Sequence, residues 1–191
     1  MTHTDGFPIV AISSRAEWRK WLTDNHANSK GVWLLSYKVA TGKPTITYAE
    51  GVLEALCFGW IDSKPNKFDD QQSLLYYSPR NPRSNWSALN KTRVDQLLEQ
   101  NLMTPAGQRM IDLAKEKGTW TALEGVDALV IPDDLQTALL ANPPAEVNFL
   151  AFPKSIKQGI LQWLLTAKRP ETRAKRIADF VAKLARGESI L

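Results

Sequence analysis

The order of strand-like and helix-like segments along the chain limits the fold more than any other feature. Apolar and β-branched segments typical of strands occur only before residue 80, at 7–12, 32–37, 60–63 and 72–77. Helical patterns dominate after Pro132, at about 133–141, 144–151, 153–167 and 170–186. No repeated βαβ unit runs through the chain. This separation predicts an α+β fold, with a small mixed sheet packed with helices in the N-terminal part and a helical C-terminal lobe.

Short polar motifs predict where the N-terminal helices begin. Ser14–Glu17 and Thr47–Glu50 have the capping-box spacing, in which the hydroxyl accepts from a helical amide and the glutamate reaches back. Ser87 or Ser84 is expected to cap a third helix, and Thr104 before Pro105 a fourth.

The domain organisation follows from where these patterns stop. Residues 119–131 are irregular and indicate a boundary between two lobes. We therefore expect an α+β domain over residues 1–120 and a helical lobe over 121–191, packed together as one unit. A chain of 191 residues is long enough for two small lobes that share a core.

Composition limits the compartment that we expect for the protein. The hydrophobic content of 43% is ordinary, and no apolar run approaches the roughly 20 residues that a bilayer requires. The first residues show neither a basic n-region nor a long h-region, so we expect no signal peptide. The single cysteine, Cys57, rules out an internal disulfide framework and fits a reducing compartment. The expectation is a cytoplasmic protein without a membrane span.

The stretch Glu54–Asn90 mixes aromatic and charged residues in the way that binding surfaces do. Arg80 and Arg83 lie in a proline-stiffened loop that leads into a helix N-terminus, where anions bind readily. Arginine forks bind phosphate or carboxylate in a bidentate manner, and Trp86 is placed to stack on a ring. The candidate ligand-binding residues are Asp62, Lys64, Arg80, Arg83, Asn85, Trp86 and Asn90.

The alternative to a ligand-binding site is that the residues of Glu54–Asn90 have a purely structural role. Arg80 would then pair with Asp62 or Glu54, Asn85 would cap the helix, and Trp86 would fill the core.

Two further hypotheses use other residues. The last helix carries an apolar stripe with basic residues off it, so Arg173, Lys175, Arg176 and Lys183 are candidate nucleic-acid contacts together with the Arg80 and Arg83 loop. A core-facing helix with a solvated basic back is the alternative. A small-molecule enzyme is the other hypothesis, with Asp62 as acid or base and Arg80 as anion clamp.

Motifs for cofactor or metal chemistry are absent from the sequence. Neither a phosphate-binding glycine loop nor a nucleophile elbow occurs. Two separate histidines and one cysteine do not make an ordinary zinc site, and Cys57 sits on an apolar helix face typical of core packing. We expect no cofactor and no metal, and a binding protein rather than an enzyme.

Several boxes resemble the bacteriocin-protection, or OmpD-associated, family of bacterial proteins. They are EWRKWL at Glu17–Leu22, SKGVWL at Ser29–Leu34, Thr41–Ser63, SPRNPRSNWSALNKTRVDQLL at Ser78–Leu98, MTPAGQRMI at Met103–Ile111, and AKRPETRAKRIADFVAKLARGE at Ala167–Glu188. The resemblance spans nearly the whole chain. It implies a link to resistance against bacteriocins and cationic peptides, and it brings no reaction, cofactor or catalytic residue with it. The leading hypothesis is a non-enzymatic protein that binds an anionic ligand or a protein partner.

Overall fold

The fold was examined in a computed structural model that describes residues 6–188. Four strands form one sheet: β1 (Ile9–Ala11), β2 (Val32–Tyr37), β3 (Trp60–Lys67) and β4 (Gln72–Pro79). Their order is β1-β2-β4-β3, with β1 parallel to β2 and the other neighbours antiparallel. The predicted small mixed sheet is therefore confirmed.

The hairpin of β3 and β4 sets the position of the candidate loop. Asp69 closes the turn, because its carboxylate accepts from the amides of Gln71 and Gln72 at 2.7 and 2.6 Å. β3 continues past Ser63, where the sequence pattern ends, because a register shift between Asp62 and Pro65 accommodates the proline. Trp60, the first residue of β3, pairs with Pro79, the last residue of β4. After Pro79 the chain leaves the sheet and enters the loop before the third helix.

Four longer helices of the described residues accompany this sheet: α1 (Arg15–Asn25), α2 (Tyr48–Cys57), α3 (Ala88–Glu99) and α4 (Pro105–Glu116). The hydroxyls of Ser14, Thr47, Ser87 and Thr104 cap them, as the sequence predicts. The capping box at Thr47 is complete, whereas Glu17 turns to Ser13 instead of the Ser14 amide. The core between sheet and helices is rich in aromatic rings, with Trp18 stacked on Trp21 and packed on Tyr77.

The C-terminal part is helical: α5 (Glu124–Asp127), α6 (Asp133–Leu140), α7 (Pro143–Ala151), α8 (Lys154–Leu165) and α9 (Pro170–Ala185). The sequence pattern misses α5, a single turn within the segment expected to be irregular. These helices enclose a separate core that includes Leu135, Phe149, Leu164 and Phe180.

The α+β prediction is confirmed, with strands in the N-terminal part and helices after it. The chain divides between Thr121 and Ala122 into two compact units. The packing of the two parts together as one unit stays a prediction. No helix within residues 6–188 combines the length and the hydrophobicity needed to cross a membrane.

Candidate functional site

The loop at residues 80–87, the Arg80 loop, is fixed at both ends by main-chain hydrogen bonds. The Arg80 amide donates to the carbonyl of Gly59 at 2.9 Å, and the Trp86 amide donates to that of Thr119 at 3.1 Å. Within the loop, the Asn81 side chain accepts from the Arg83 amide at 2.9 Å. The loop is thus a defined turn in front of α3.

Arg80 is the central side chain of this loop, and only 6% of it is exposed. Its guanidinium carbon lies 3.9 Å from the centroid of the Trp86 ring, and Nη2 donates to the carbonyl of Asn85 at 2.6 Å. The Nε atom is buried without a hydrogen-bond partner. No carboxylate of residues 6–188 forms an ion pair with it. Burial lowers the pKa of Arg80 to about 10, since nothing nearby compensates the charge.

The structure places the other predicted loop residues in different environments. Arg83 and Asn85 are exposed. Trp86 is 2% exposed, and its ring contacts Trp120 as well as Arg80, so it packs in the core. Asn90 accepts from Arg93 at 2.9 Å, and its amide donates to the hydroxyl of Ser87, which is the helix cap. The capping role considered for Asn85 therefore belongs to Ser87.

Asp62 contacts Tyr48 rather than Arg80 or Arg83. Its carboxylate accepts from the Tyr48 hydroxyl at 3.1 Å, and burial together with this neighbour raises the pKa of Tyr48. Lys64 follows on the same strand and is exposed. Among the described residues, Asp62 forms no hydrogen bond or ion pair with Arg80 or Arg83.

A cleft of about 730 Å³ opens beside Asp62, between the sheet and the start of α2. Its walls include Tyr37, Thr47, Tyr48, Asp62 and Tyr77. The described residues that line it do not include Arg80 or Arg83. The enzyme hypothesis requires Asp62 and an arginine clamp in one pocket, and this cleft does not join them.

Glu54 is a charged residue that the sequence interpretation considered only as a partner of Arg80. It is 1% exposed and pairs instead with Arg15 Nε and Arg19 Nη1, both at 2.6 Å. Arg19 also donates to the carbonyl of Leu102 at 2.9 Å, which ties α1 to the segment between α3 and α4. A glutamate among apolar residues of α2 is the sequence signal for such a buried ion pair.

Cys57 lies one turn from Glu54 and is fully buried. Burial, and to a smaller extent Glu54, raises the pKa of the Cys57 thiol to about 11, so the thiolate is suppressed. This environment suits core packing. Within residues 6–188, no group of three or more histidine, cysteine, aspartate or glutamate side chains is arranged to hold a metal ion.

The predicted nucleic-acid contacts of α9 fall into two classes. Arg173 makes a bidentate pair with Asp134, through Nε at 2.5 Å and Nη2 at 3.0 Å. Arg176 donates from Nη1 to the Trp163 carbonyl at 2.6 Å and to the Thr166 hydroxyl at 2.7 Å. Lys175 and Lys183 are exposed. Two of the four cations are thus engaged within the C-terminal unit.

Two family models match the chain, one on each side of the boundary between the two compact units. Residues 10–110 match the family described as a domain of unknown function (DUF8412). The chain belongs to this family. The DUF8412 match contains β2, α2, β3, β4, α3 and the Arg80 loop. Residues 128–187, which contain α6 to α9, match the model described as bacteriocin-protection, YdeI or OmpD-associated.

The second match confirms the resemblance seen in the sequence for residues 128–187. The boxes from Glu17 to Leu98 lie in the region that matches DUF8412, and their resemblance to the bacteriocin-protection family stays a prediction. No curated protein and no solved structure matches the chain.

Proposed function

We propose that this DUF8412 protein is a non-enzymatic binding protein that takes an anionic ligand, a phosphate or a carboxylate, at the Arg80 loop. We further propose, as a separate part, that the protein takes part in protection against bacteriocins or cationic peptides. The observation that carries the proposal is the buried guanidinium of Arg80, which has an unpartnered Nε and no carboxylate partner within residues 6–188.

The energetics of a buried cation support a ligand. Removing an ion from water costs several kcal/mol, and a counter-ion normally compensates that cost. The Trp86 ring contributes about 2 kcal/mol in a desolvated contact, and the bond to Asn85 about 1.5–3 kcal/mol. A guanidinium carries five N–H donors in a planar fork, and in Arg80 the buried Nε–H has no acceptor although Nη2 donates to Asn85. A phosphate or carboxylate supplies both the charge and the acceptors.

The neighbouring loop residues support the same chemistry. Arg83 and Asn85 are exposed in the same loop, so they can donate to an anion that reaches Arg80. The loop ends at the N-terminus of α3, whose partial positive charge favours a negative ligand.

The link to bacteriocin protection rests on the family match of residues 128–187. That region lies outside the Arg80 loop, so the ligand and the biological role are separate parts of the proposal.

Anion titration of three proteins tests the ligand. Pyrophosphate, inorganic phosphate and citrate would be titrated into wild type, Arg80→Lys and Arg83→Lys, with binding measured by calorimetry and melting temperature. Arg80→Lys keeps the positive charge but loses the fork. We expect at least one anion to stabilise wild type, by about 2.7 kcal/mol at 100 times its Kd, and Arg80→Lys to lose this stabilisation. Arg83→Lys, which changes the exposed second arginine of the loop, should lose less of this stabilisation than Arg80→Lys.

Two outcomes of this titration would contradict the proposed site. If none of the anions shifts the melting temperature of wild type, Arg80 has a structural role alone. Equal shifts in wild type and Arg80→Lys would place the anion elsewhere on the chain.

A further inference from the structure

A groove between α8 and α9 of the C-terminal unit has no role in the function proposed above. Its volume is about 800 Å³, and its apolar floor includes Ile156, Ile160 and Phe180. Gly159 lines the groove beside open space, because a Cβ built there would meet nothing within 4 Å. The volume lies within the roughly 300–1,000 Å³ that is usual for small-molecule sites.

Trp163 forms one end of this groove with an exposed ring. The side chain is 42% exposed, which is a large exposed aromatic surface for a residue in a helix. The guanidinium of Arg176 lies 4.8 Å from the ring centroid and is held there by its bonds to the Trp163 carbonyl and the Thr166 hydroxyl. The cation is therefore fixed in position beside the apolar surface.

The rim of the groove is positively charged. Arg176, Lys183 and Arg186 line it, and Asp179 is the one acidic residue among the described lining residues. Arg186 pairs with Glu188 at 2.5 Å. Arg176 and Lys183 form no ion pair with any carboxylate of residues 6–188. Two cations without an ion-pair partner among these carboxylates thus stand beside an apolar floor, with Asp179 between them along α9.

We propose that this groove binds a free anionic amphiphile, such as a medium-chain or long-chain carboxylate. The apolar chain lies along Ile156, Gly159 and Trp163, and the carboxylate pairs with Arg176 and Lys183. Each buried methylene contributes about 0.8 kcal/mol, so chain length sets affinity while the two cations select the charge of the head group.

Other anionic partners fit the groove less well. A nucleic acid gains affinity mainly from phosphate contacts and base stacking, but the floor is aliphatic and Arg176 covers one face of Trp163. A membrane surface would engage exposed basic and apolar residues of α9 rather than a concavity between two helices.

Calorimetric titration with dodecanoate below its micelle concentration tests this proposal. Dodecyltrimethylammonium is the matched cationic probe. Gly159→Leu fills the groove at an exposed helical position, where leucine also favours the helix, and Gln162→Leu adds the same group to α8 outside the groove. Lys183→Glu reverses a rim charge, and Lys175→Glu makes the same change on α9 away from the rim.

We expect dodecanoate to bind wild type, and the cationic probe to bind at least about tenfold more weakly. Gly159→Leu and Lys183→Glu should each weaken dodecanoate binding by about tenfold or more, with Gln162→Leu and Lys175→Glu within about twofold of wild type. Circular dichroism checks that every variant is folded.

Three results of the titrations would overturn the inference, and a fourth comes from vesicles. The three are no binding of monomeric dodecanoate, equal affinity for both probes, or unchanged affinity in a folded Gly159→Leu. Binding to phosphatidylglycerol vesicles without binding of monomeric dodecanoate would also overturn it, in favour of a membrane-surface role.

Discussion

Two buried charged side chains in the N-terminal unit, Glu54 and Arg80, differ in how their charge is compensated. Glu54 receives two arginine donors at 2.6 Å, which is the usual arrangement for a buried carboxylate. Arg80 has one carbonyl and one aromatic ring, and its Nε has no acceptor. The first arrangement stabilises the packing of α1 on α2, whereas the second leaves charge uncompensated in the ligand-free protein.

Replacement of Arg80 by methionine tests this difference. Arg80→Met keeps a flexible apolar stem on Trp86 and removes the buried charge. Because such replacements are often neutral or stabilising by about 1–4 kcal/mol, we expect the ligand-free variant to be at least as stable as wild type in urea unfolding. Arg83→Met, at an exposed position of the same loop, is the control and should change stability little. A loss of more than about 2 kcal/mol in Arg80→Met would show that the charge itself holds the loop.

The close approach of the Tyr77 hydroxyl restricts which residue can occupy position 51, where the chain has glycine. A Cβ at this position would lie 2.4 Å from the hydroxyl of Tyr77, which is 1% exposed. Gly51→Ala should gain about 1 kcal/mol in helix propensity but lose about 1–3 kcal/mol to overpacking. We expect a net loss of stability in urea unfolding. In the Tyr77→Phe background the alanine should cost less, with a coupling energy of about 0.5–3 kcal/mol. Purely additive effects would contradict the steric explanation.

At the scale of elements, local chemistry was predictable and long-range pairing was not. The caps at Ser14, Thr47, Ser87 and Thr104 depend on residues within one turn, so the sequence shows them. The length of β3 depends on a register shift in its pairing with β4, which no local pattern reveals.

In the candidate site, too, the local features were predictable from the sequence and the long-range contacts were not. The sequence identifies Arg80 in a loop before a helix, but its neighbours come from elements that only folding brings together. Its amide bonds to Gly59 because the hairpin register places Pro79 opposite Trp60. The groove between α8 and α9 was not predicted, because the apolar residues of both helices look like ordinary core positions in sequence.

The ion pair between α6 and α9 gives a pH prediction at this scale. The hydrogen bond from Arg173 lowers the pKa of Asp134 below its usual value of about 3.9. As the pH falls, Asp134 is therefore protonated at a higher pH in the unfolded chain than in the folded protein. The stabilisation is fully present above a pH of about 5 and is lost as the pH falls through the pKa of the folded protein.

Asp134→Asn should therefore be less stable than wild type at neutral pH, and the difference should shrink as the pH falls toward about 3. The pair is partly exposed, so the effect at neutral pH should stay below about 1 kcal/mol. Thermal unfolding followed by circular dichroism at several pH values measures it. Asp133→Asn removes a neighbouring charge without touching Arg173 and serves as the control. A stability difference that does not vary with pH would argue against the ion pair as its cause.

At the scale of the whole molecule, two family matches coincide with two hydrophobic cores. The DUF8412 match falls within the unit that contains the sheet, and the bacteriocin-protection match falls within the helical unit. The two clusters of buried residues share no member. This division favours two modules, and the two proposed binding surfaces, the Arg80 loop and the α8–α9 groove, lie in separate units.

A fragment of residues 122–191 tests whether the helical unit folds by itself. Its core residues, among them Leu135, Phe149, Leu164 and Phe180, all come from within the fragment, so we expect a helical spectrum and a cooperative thermal transition. A domain of this size has a stability of only about 3–5 kcal/mol. Phe149→Ala, which costs about 3–5 kcal/mol in a packed core, should therefore abolish the transition, whereas Val147→Ala at an exposed position should leave it. An unfolded wild-type fragment would instead show that its core depends on the N-terminal unit, as expected if the two parts form one cooperative unit.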